Sequence, residues 1–152
     1  MKNTLKSFGI IAFVAIIGFS VAACNNNDDN GGEHTGPGSR SVPIVLQENV
    51  WHNGIITSRG QTLYFAFEVT AGTTYRLWVN DKYEGDGSKT LDVEGIITLP
   101  SGERIEWDDH WLDPETFTPG TSGRVQVEVR AFMSSETGTF GIVFTTGTSR
   151  PE

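Results

Sequence analysis

The chain has 152 residues, 37% of them hydrophobic, and carries 11 basic against 19 acidic residues for a formal net charge of -8. That balance argues against nucleic acid as a partner and against electrostatic adhesion to anionic lipid. A single cysteine excludes an internal disulfide framework, so any core must be held by packing and strand pairing.

The N-terminus has the three parts of a secretory signal. Lys2 and Lys6 supply positive charge, and Phe8 to Phe19 is an apolar run broken only by small residues. Ser20-Val21-Ala22-Ala23 then places small side chains at a cleavage point. The run is short for a bilayer span, which sets it apart from an uncleaved anchor. Val21-Ala22-Ala23-Cys24 resembles the lipobox of bacterial lipoproteins, with Val21 where Leu is commonest. The resemblance implies that residues 1–23 are removed and that Cys24 is lipidated. Acylation, palmitate included, also accounts for the solitude of Cys24, because a free thiol is a liability in an oxidising compartment. Acyl chains contribute about 0.8 kcal/mol per buried CH₂. The expected location is the bacterial cell envelope, anchored to a membrane and facing away from the cytoplasm.

Residues 25–41 (NNNDDNGGEHTGPGSRS) contain no large apolar side chain. Such a stretch cannot bury enough surface to offset its ordering entropy, so 24–41 reads as a lipidated cysteine and flexible tether. Residues 42–147 read as one β-domain, and 148–152 as a tail.

Ile55-Ile56-Thr57 after Gly54 reads as a short strand. Leu63 to Val69 alternates, with Leu63, Phe65, Phe67 and Val69 on one face. Tyr75 to Val79 does the same and points Trp78 away from Leu77 and Val79. Ala71-Gly72-Thr73-Thr74 supplies a short connection between these two strands. Strands follow at Thr90–Thr98 and Glu103–Trp107, joined by Leu99-Pro100-Ser101-Gly102, a strong turn signal. Val125 to Arg130 is the cleanest alternation, valines in and polar residues out, and Phe140–Phe144 follows a loop at 134–138. No helical periodicity is sustained. The pattern predicts an all-β fold, an antiparallel two-sheet β-sandwich.

The order of these segments resembles the bacterial pre-peptidase C-terminal domain family, small jelly-roll-like sandwiches appended to secreted proteins. Leu63-Tyr64-Phe65-Ala66-Phe67 running to Ala71-Gly72-Thr73 resembles its "Tyr-x-Phe" strand, with one residue more between Tyr64 and Phe67, and its "Ala-Gly-Thr" turn. Leu91-Asp92-Val93 leads to Pro100-Ser101-Gly102, matching "Leu-Asp" and "Pro-x-Gly". Gly123 to Val129 precedes Thr137-Gly138-Thr139-Phe140, matching "Gly-x-x-x-Val-x-Val" and "Thr-Gly-x-Tyr". Leu63 stands where the family has tryptophan, and Phe140 where it has tyrosine. Residues 48 to 145 are covered. The resemblance implies a jelly-roll-like sandwich with an accessory, non-catalytic role.

Three chemistries come into question. For catalysis, His110 lies among Asp108, Asp109 and Asp113, but there is no cysteine nucleophile, no Gly-x-Ser-x-Gly elbow and no zinc-type histidine pair. A solvated acidic loop is the better reading, and no enzyme is expected. For calcium, Asp86, Asp92, Asp108 and Asp109 fall at strand ends, where loop carboxylates and carbonyls supply the oxygens Ca²⁺ needs; some relatives in the resembled family bind calcium in such loops. The alternative is that these acids solubilise loops and oppose edge-to-edge pairing. For ligand stacking, Trp107 and Trp111 flank Asp108-Asp109-His110 as a candidate aromatic-acidic patch for a glycan or a protein, against packing at the rim of the sandwich. The expected function is a membrane-anchored binding module. The alternatives are an envelope structural or assembly component docking onto another protein and, behind both, a hydrolase.

Overall fold

The computed structural model describes residues 36–83, 85–108 and 114–152. Cys24 and the segments expected to be signal and tether up to residue 35 lie outside the described residues. The described residues form nine strands: β1 (Ile44–Val45), β2 (His52–Ile56), β3 (Thr62–Val69), β4 (Tyr75–Asn80), β5 (Val93–Thr98), β6 (Arg104–Asp108), β7 (Glu115–Phe117), β8 (Gly123–Ala131) and β9 (Gly138–Thr145). They build a five-stranded sheet, β1-β3-β8-β5-β6, and a four-stranded sheet, β2-β9-β4-β7. The fold is the expected all-β two-sheet sandwich, with one departure from antiparallel pairing. β1, too short to show alternation in sequence, runs parallel to β3 through Ile44 and Phe65.

The alternating strands do what their period requires. Val125, Val127 and Val129 of β8 are fully buried, while Gln126 and Glu128 face outward. Phe65 and Phe67 of β3 meet the opposite sheet. Phe67 stacks on Phe144 of β9 with centroids 4.0 Å apart, and Phe65 meets Phe140 edge-on at 6.0 Å. Leu63 joins this core.

The two strands joined by 71–74 belong to different sheets, so the connection is a crossover between layers. Tyr75 secures it: its hydroxyl accepts the backbone N–H of Thr70 at 2.9 Å, and Gly72 (φ 77°) donates its N–H to Pro119 O. Pro100-Ser101-Gly102 closes the β5–β6 hairpin as the turn signal predicts. Leu99 N–H bonds Glu103 O at 2.8 Å, and Gly102 N–H bonds Leu99 O at 2.9 Å.

Each sheet places a glycine opposite an aromatic residue. Gly95 pairs with Trp107, and a Cβ on Gly95 would lie 2.0 Å from Glu128 O and 2.6 Å from the indole. Gly54 pairs with Phe140, whose ring would lie 2.2 Å from such a Cβ. The aromatic ring fills the gap above the glycine in each pair.

Two expected boundaries shift. Residues 36–41 pack on the sandwich: Ser39 is buried, Gly38 O accepts the N–H of Tyr64 at 2.8 Å, and Arg40 pairs with Glu128 at 3.2 Å. Residues 148–152 are also docked, through contacts described next. β7 was not expected, being only three residues long.

Candidate functional site

The outer face of the four-stranded sheet carries a cleft of about 530 Å³. Strand register builds its floor. Asn53 of β2 pairs with Gly141 of β9, and Gly141 pairs with Asn80 of β4, so the three form a row across the sheet. Gly141 keeps the middle of the row low.

The connection after β4 folds over one side. Asp86 Oδ1 accepts from Asn80 Nδ2 at 3.1 Å and from the backbone N–H of Ser88 at 2.9 Å. These bonds, those from Ser88 first, hold the Asp86 carboxyl down to about 2, so it is ionised at neutral pH. Lys89 Nζ donates to Asn53 Oδ1 at 2.6 Å. Gly85 (φ 111°) lies against Asn80: a Cβ there would be 2.1 Å from Asn80 Oδ1. That carbonyl oxygen is buried and finds no hydrogen-bond partner among the described residues.

Residues 146–152 close the other side. Thr146 donates its N–H and hydroxyl to Glu48 Oε1 at 2.9 and 2.6 Å, which lowers the Glu48 pKa. The Arg150 guanidinium donates to Val79 O at 2.9 Å and lies 5.0 Å from the Trp51 ring and 5.9 Å from the Trp78 ring. Trp51 Nε1 donates to Pro151 O at 3.0 Å. Trp78, on the outer face as the alternation predicts, is therefore only 9% exposed, and Val143 beside it is fully buried. The Trp51 ring, covered by Arg150 and packed near Gly141, is committed to holding this segment.

Of the site residues singled out in the sequence, Asp86 alone among those described lines the cleft; the others fall elsewhere or outside the described residues. Asp109, His110 and Trp111 lie outside them. Trp107 is not part of a surface patch: it is 7% exposed and belongs to the core. The cause is register, which puts Trp107 on the inner face of β6 above Gly95. Asp86 lines the cleft. Asp92 is half-buried near Asp81 and Glu136; burial first, then repulsion from these carboxylates, raises its pKa. Asp108 is exposed on β6 opposite Glu94, in the other sheet. The three described acids are thus spread over separate places, and no group of three or more His, Cys, Asp or Glu residues placed to hold a metal ion occurs among the described residues.

Asn53, Asn80, Lys89 and Arg150 escaped the sequence reading. One signal was available. Phe140-Gly141-Ile142-Val143-Phe144 is apolar without alternation, the mark of a strand covered on both faces.

Comparison with solved structures bears on the scaffold. The pre-peptidase C-terminal domain of collagenase from Bacillus anthracis superposes with a TM-score of 0.52 at 12% identity, covering 68% of this chain and 94% of that one. The fold is that of a pre-peptidase C-terminal domain. A periplasmic lysozyme inhibitor of g-type lysozyme from Salmonella Typhimurium gives a TM-score of 0.47 at 11% identity, covering 68% of this chain and 98% of that one. No family model matches the sequence, and no curated protein matches it. Within the pre-peptidase C-terminal fold, Ala71-Gly72-Thr73 makes the crossover between sheets and Pro100-Ser101-Gly102 the hairpin, while the cleft lies apart from both.

Proposed function

We propose that the chain is a non-catalytic binding module of the bacterial cell envelope, anchored through acylated Cys24, and that the cleft at Asn53, Asn80, Asp86 and Lys89 recognises a glycan. The observation that carries this reading is the cleft's donor and acceptor set. Two amides, an ionised carboxylate and an ammonium converge on a concavity whose floor is a glycine. Planar amide and carboxylate groups can each address neighbouring hydroxyls. Recognition here works through hydrogen bonds, because the nearest indole, Trp51, already packs against Arg150.

The test is a glycan array probed with wild type and with the double substitution Asn53→Ala, Lys89→Ala. Asn53 is exposed and Lys89 half-buried, and the change removes their mutual bond and the Lys89 charge near Asp86. Binding by wild type that the variant loses at unchanged melting temperature is expected. A wild type that binds no glycan, or a variant that binds as well as wild type, refutes the assignment.

A further inference from the structure

The two ends of the sandwich differ in the surface they offer. One end gathers the connections 57–61, 81–92 and 132–137. It exposes Tyr83 (70%), Phe132 (48%) and Met133 (57%). The other end, built from 46–51, 70–74, 99–103 and 118–122, exposes one large hydrophobic residue, Val50. Among the described residues, then, the exposed aromatic and thioether side chains outside the strands share one end.

These side chains stand on a braced surface. Lys82 N–H bonds Leu91 O at 3.1 Å, and Phe132 N–H bonds Asp92 O at 3.0 Å, tying two of the connections together. Gly60 N–H bonds Ser134 O at 2.9 Å and brings in the third. Lys82 Nζ lies 5.1 Å from the Tyr83 ring. An amphipathic ring beside a long cationic side chain is the pairing that suits a boundary between headgroups and acyl chains.

We propose that this end rests on the bilayer that holds the acyl chains of Cys24, with Tyr83, Phe132 and Met133 in the interface; the inference rests on the anchor reading above. With Cys24 acylated, chain length brings this end of the sandwich, rather than the other, to the bilayer. Gly38 bonds Tyr64, near the Thr62 end of β3, so the chain reaches the sandwich at this same end. Only residues 25–35 separate Cys24 from the first described residue. Eleven residues reach at most about 38 Å. Standing the sandwich on its other end would send that segment back past strands about 27–30 Å long, taking up most of its reach. The apolar tips need not hold the protein at the membrane, since the acyl chains do that. They set which way the cleft faces.

The experiment uses protein purified from the membrane fraction of an exporting host, with acylation of Cys24 checked by mass spectrometry. Phe132→Trp and, at the opposite end, Thr121→Trp each add one indole to the native four. Each variant is placed in phosphatidylethanolamine–phosphatidylglycerol vesicles with brominated acyl chains, and the added emission is compared with wild type. Loss of the Phe132→Trp increment with retention of the Thr121→Trp increment is expected. Equal loss, no loss in either, or greater loss for Thr121→Trp overturns the orientation. A protein captured through Tyr83, Phe132 and Met133 while the Phe132→Trp increment survives overturns it too. If Cys24 carries no acyl group, the anchor reading fails by itself. The same vesicle measurement on protein coupled through the Cys24 thiol to a maleimide lipid then decides the orientation separately.

Discussion

The outer faces of the two sheets follow opposite strategies. On the five-stranded sheet Tyr64, Glu94, Gln126, Glu128 and Arg130 face outward, laced by ion pairs of Arg40 and Arg104 with Glu128 and of Arg130 with Glu94. On the four-stranded sheet Trp78, Val143 and Asn80 occupy the equivalent outward positions; residues 146–152 lie over the first two, and the connection after β4 over Asn80. One face is finished by charge in water, the other by apolar burial under a strap. The strap leaves a concave margin beside Arg150, and that margin is the cleft. A flat solvated face offers no such shape, so the site belongs where the covering is incomplete.

The largest expected effect separates the faces by deletion. Trp78→Ala removes a large buried side chain and the surface on which Arg150 lies, and should cost about 3–5 kcal/mol in urea unfolding. Tyr64→Ala on the other sheet should cost about 1 kcal/mol. Equal costs would mean the strap does not bury its face in solution. Next comes Arg150→Ala, which loses the bond to Val79 O and two ring contacts. A cost of about 1–2 kcal/mol is expected, with a red shift of tryptophan emission as Trp51 and Trp78 meet water.

How far each face could be read from the amino-acid sequence follows the same division. The strands of the five-stranded sheet announce themselves, because one wet face and one dry face give strict alternation, as in Val125 to Arg130. Ile44–Val45 and Glu115–Phe117 are too short to show a period, and pairing with long neighbours alone makes them strands. The cleft was hidden for a different reason. Its residues come from β2, from β4 and the connection after it, from β9 and from the last few positions, and only register across three strands makes them neighbours. Trp107 shows the converse error. An aromatic residue beside acidic ones looks like a surface patch until the glycine opposite, Gly95, draws it inward.

His52 gives a smaller, pH-dependent handle on the inner side of the four-stranded sheet. It meets Phe65 of the other sheet edge-on at 5.5 Å, and burial lowers its pKa below 6.5. The unfolded chain therefore takes up this proton first as pH falls. The His52 contribution is intact above about pH 6.5, declines as pH drops below it, and levels off beneath the folded pKa. Asp92 and Glu115, both raised by burial first, act in the opposite direction at lower pH. The measurement is thus a difference: urea unfolding at pH 8 and pH 5.5 for wild type and His52→Gln. Wild type should lose more stability between the two than the variant does. An identical pH dependence would place His52 in water.

The smallest expected effect tests the charged face itself. Arg130 Nε lies 2.7 Å from Glu94 Oε1, a good geometry, yet the two side chains are 57% and 22% exposed. A pair so wet gains little over its separate hydration, and ordering the long arginine offsets part of that gain. Arg130→Ala should cost about 0.5 kcal/mol or less, and the cost should shrink further at 1 M salt, where the screening length falls to about 3 Å. Arg150→Ala provides the contrast, because its guanidinium is held by a backbone carbonyl and two rings rather than by an opposite charge. Its cost should survive the same salt. If salt erases both effects alike, Arg150 is held by long-range charge and the strap is no more than a surface contact. If salt erases only the first, the two outer faces differ in kind, and the cleft is shaped by packing that ionic strength leaves in place.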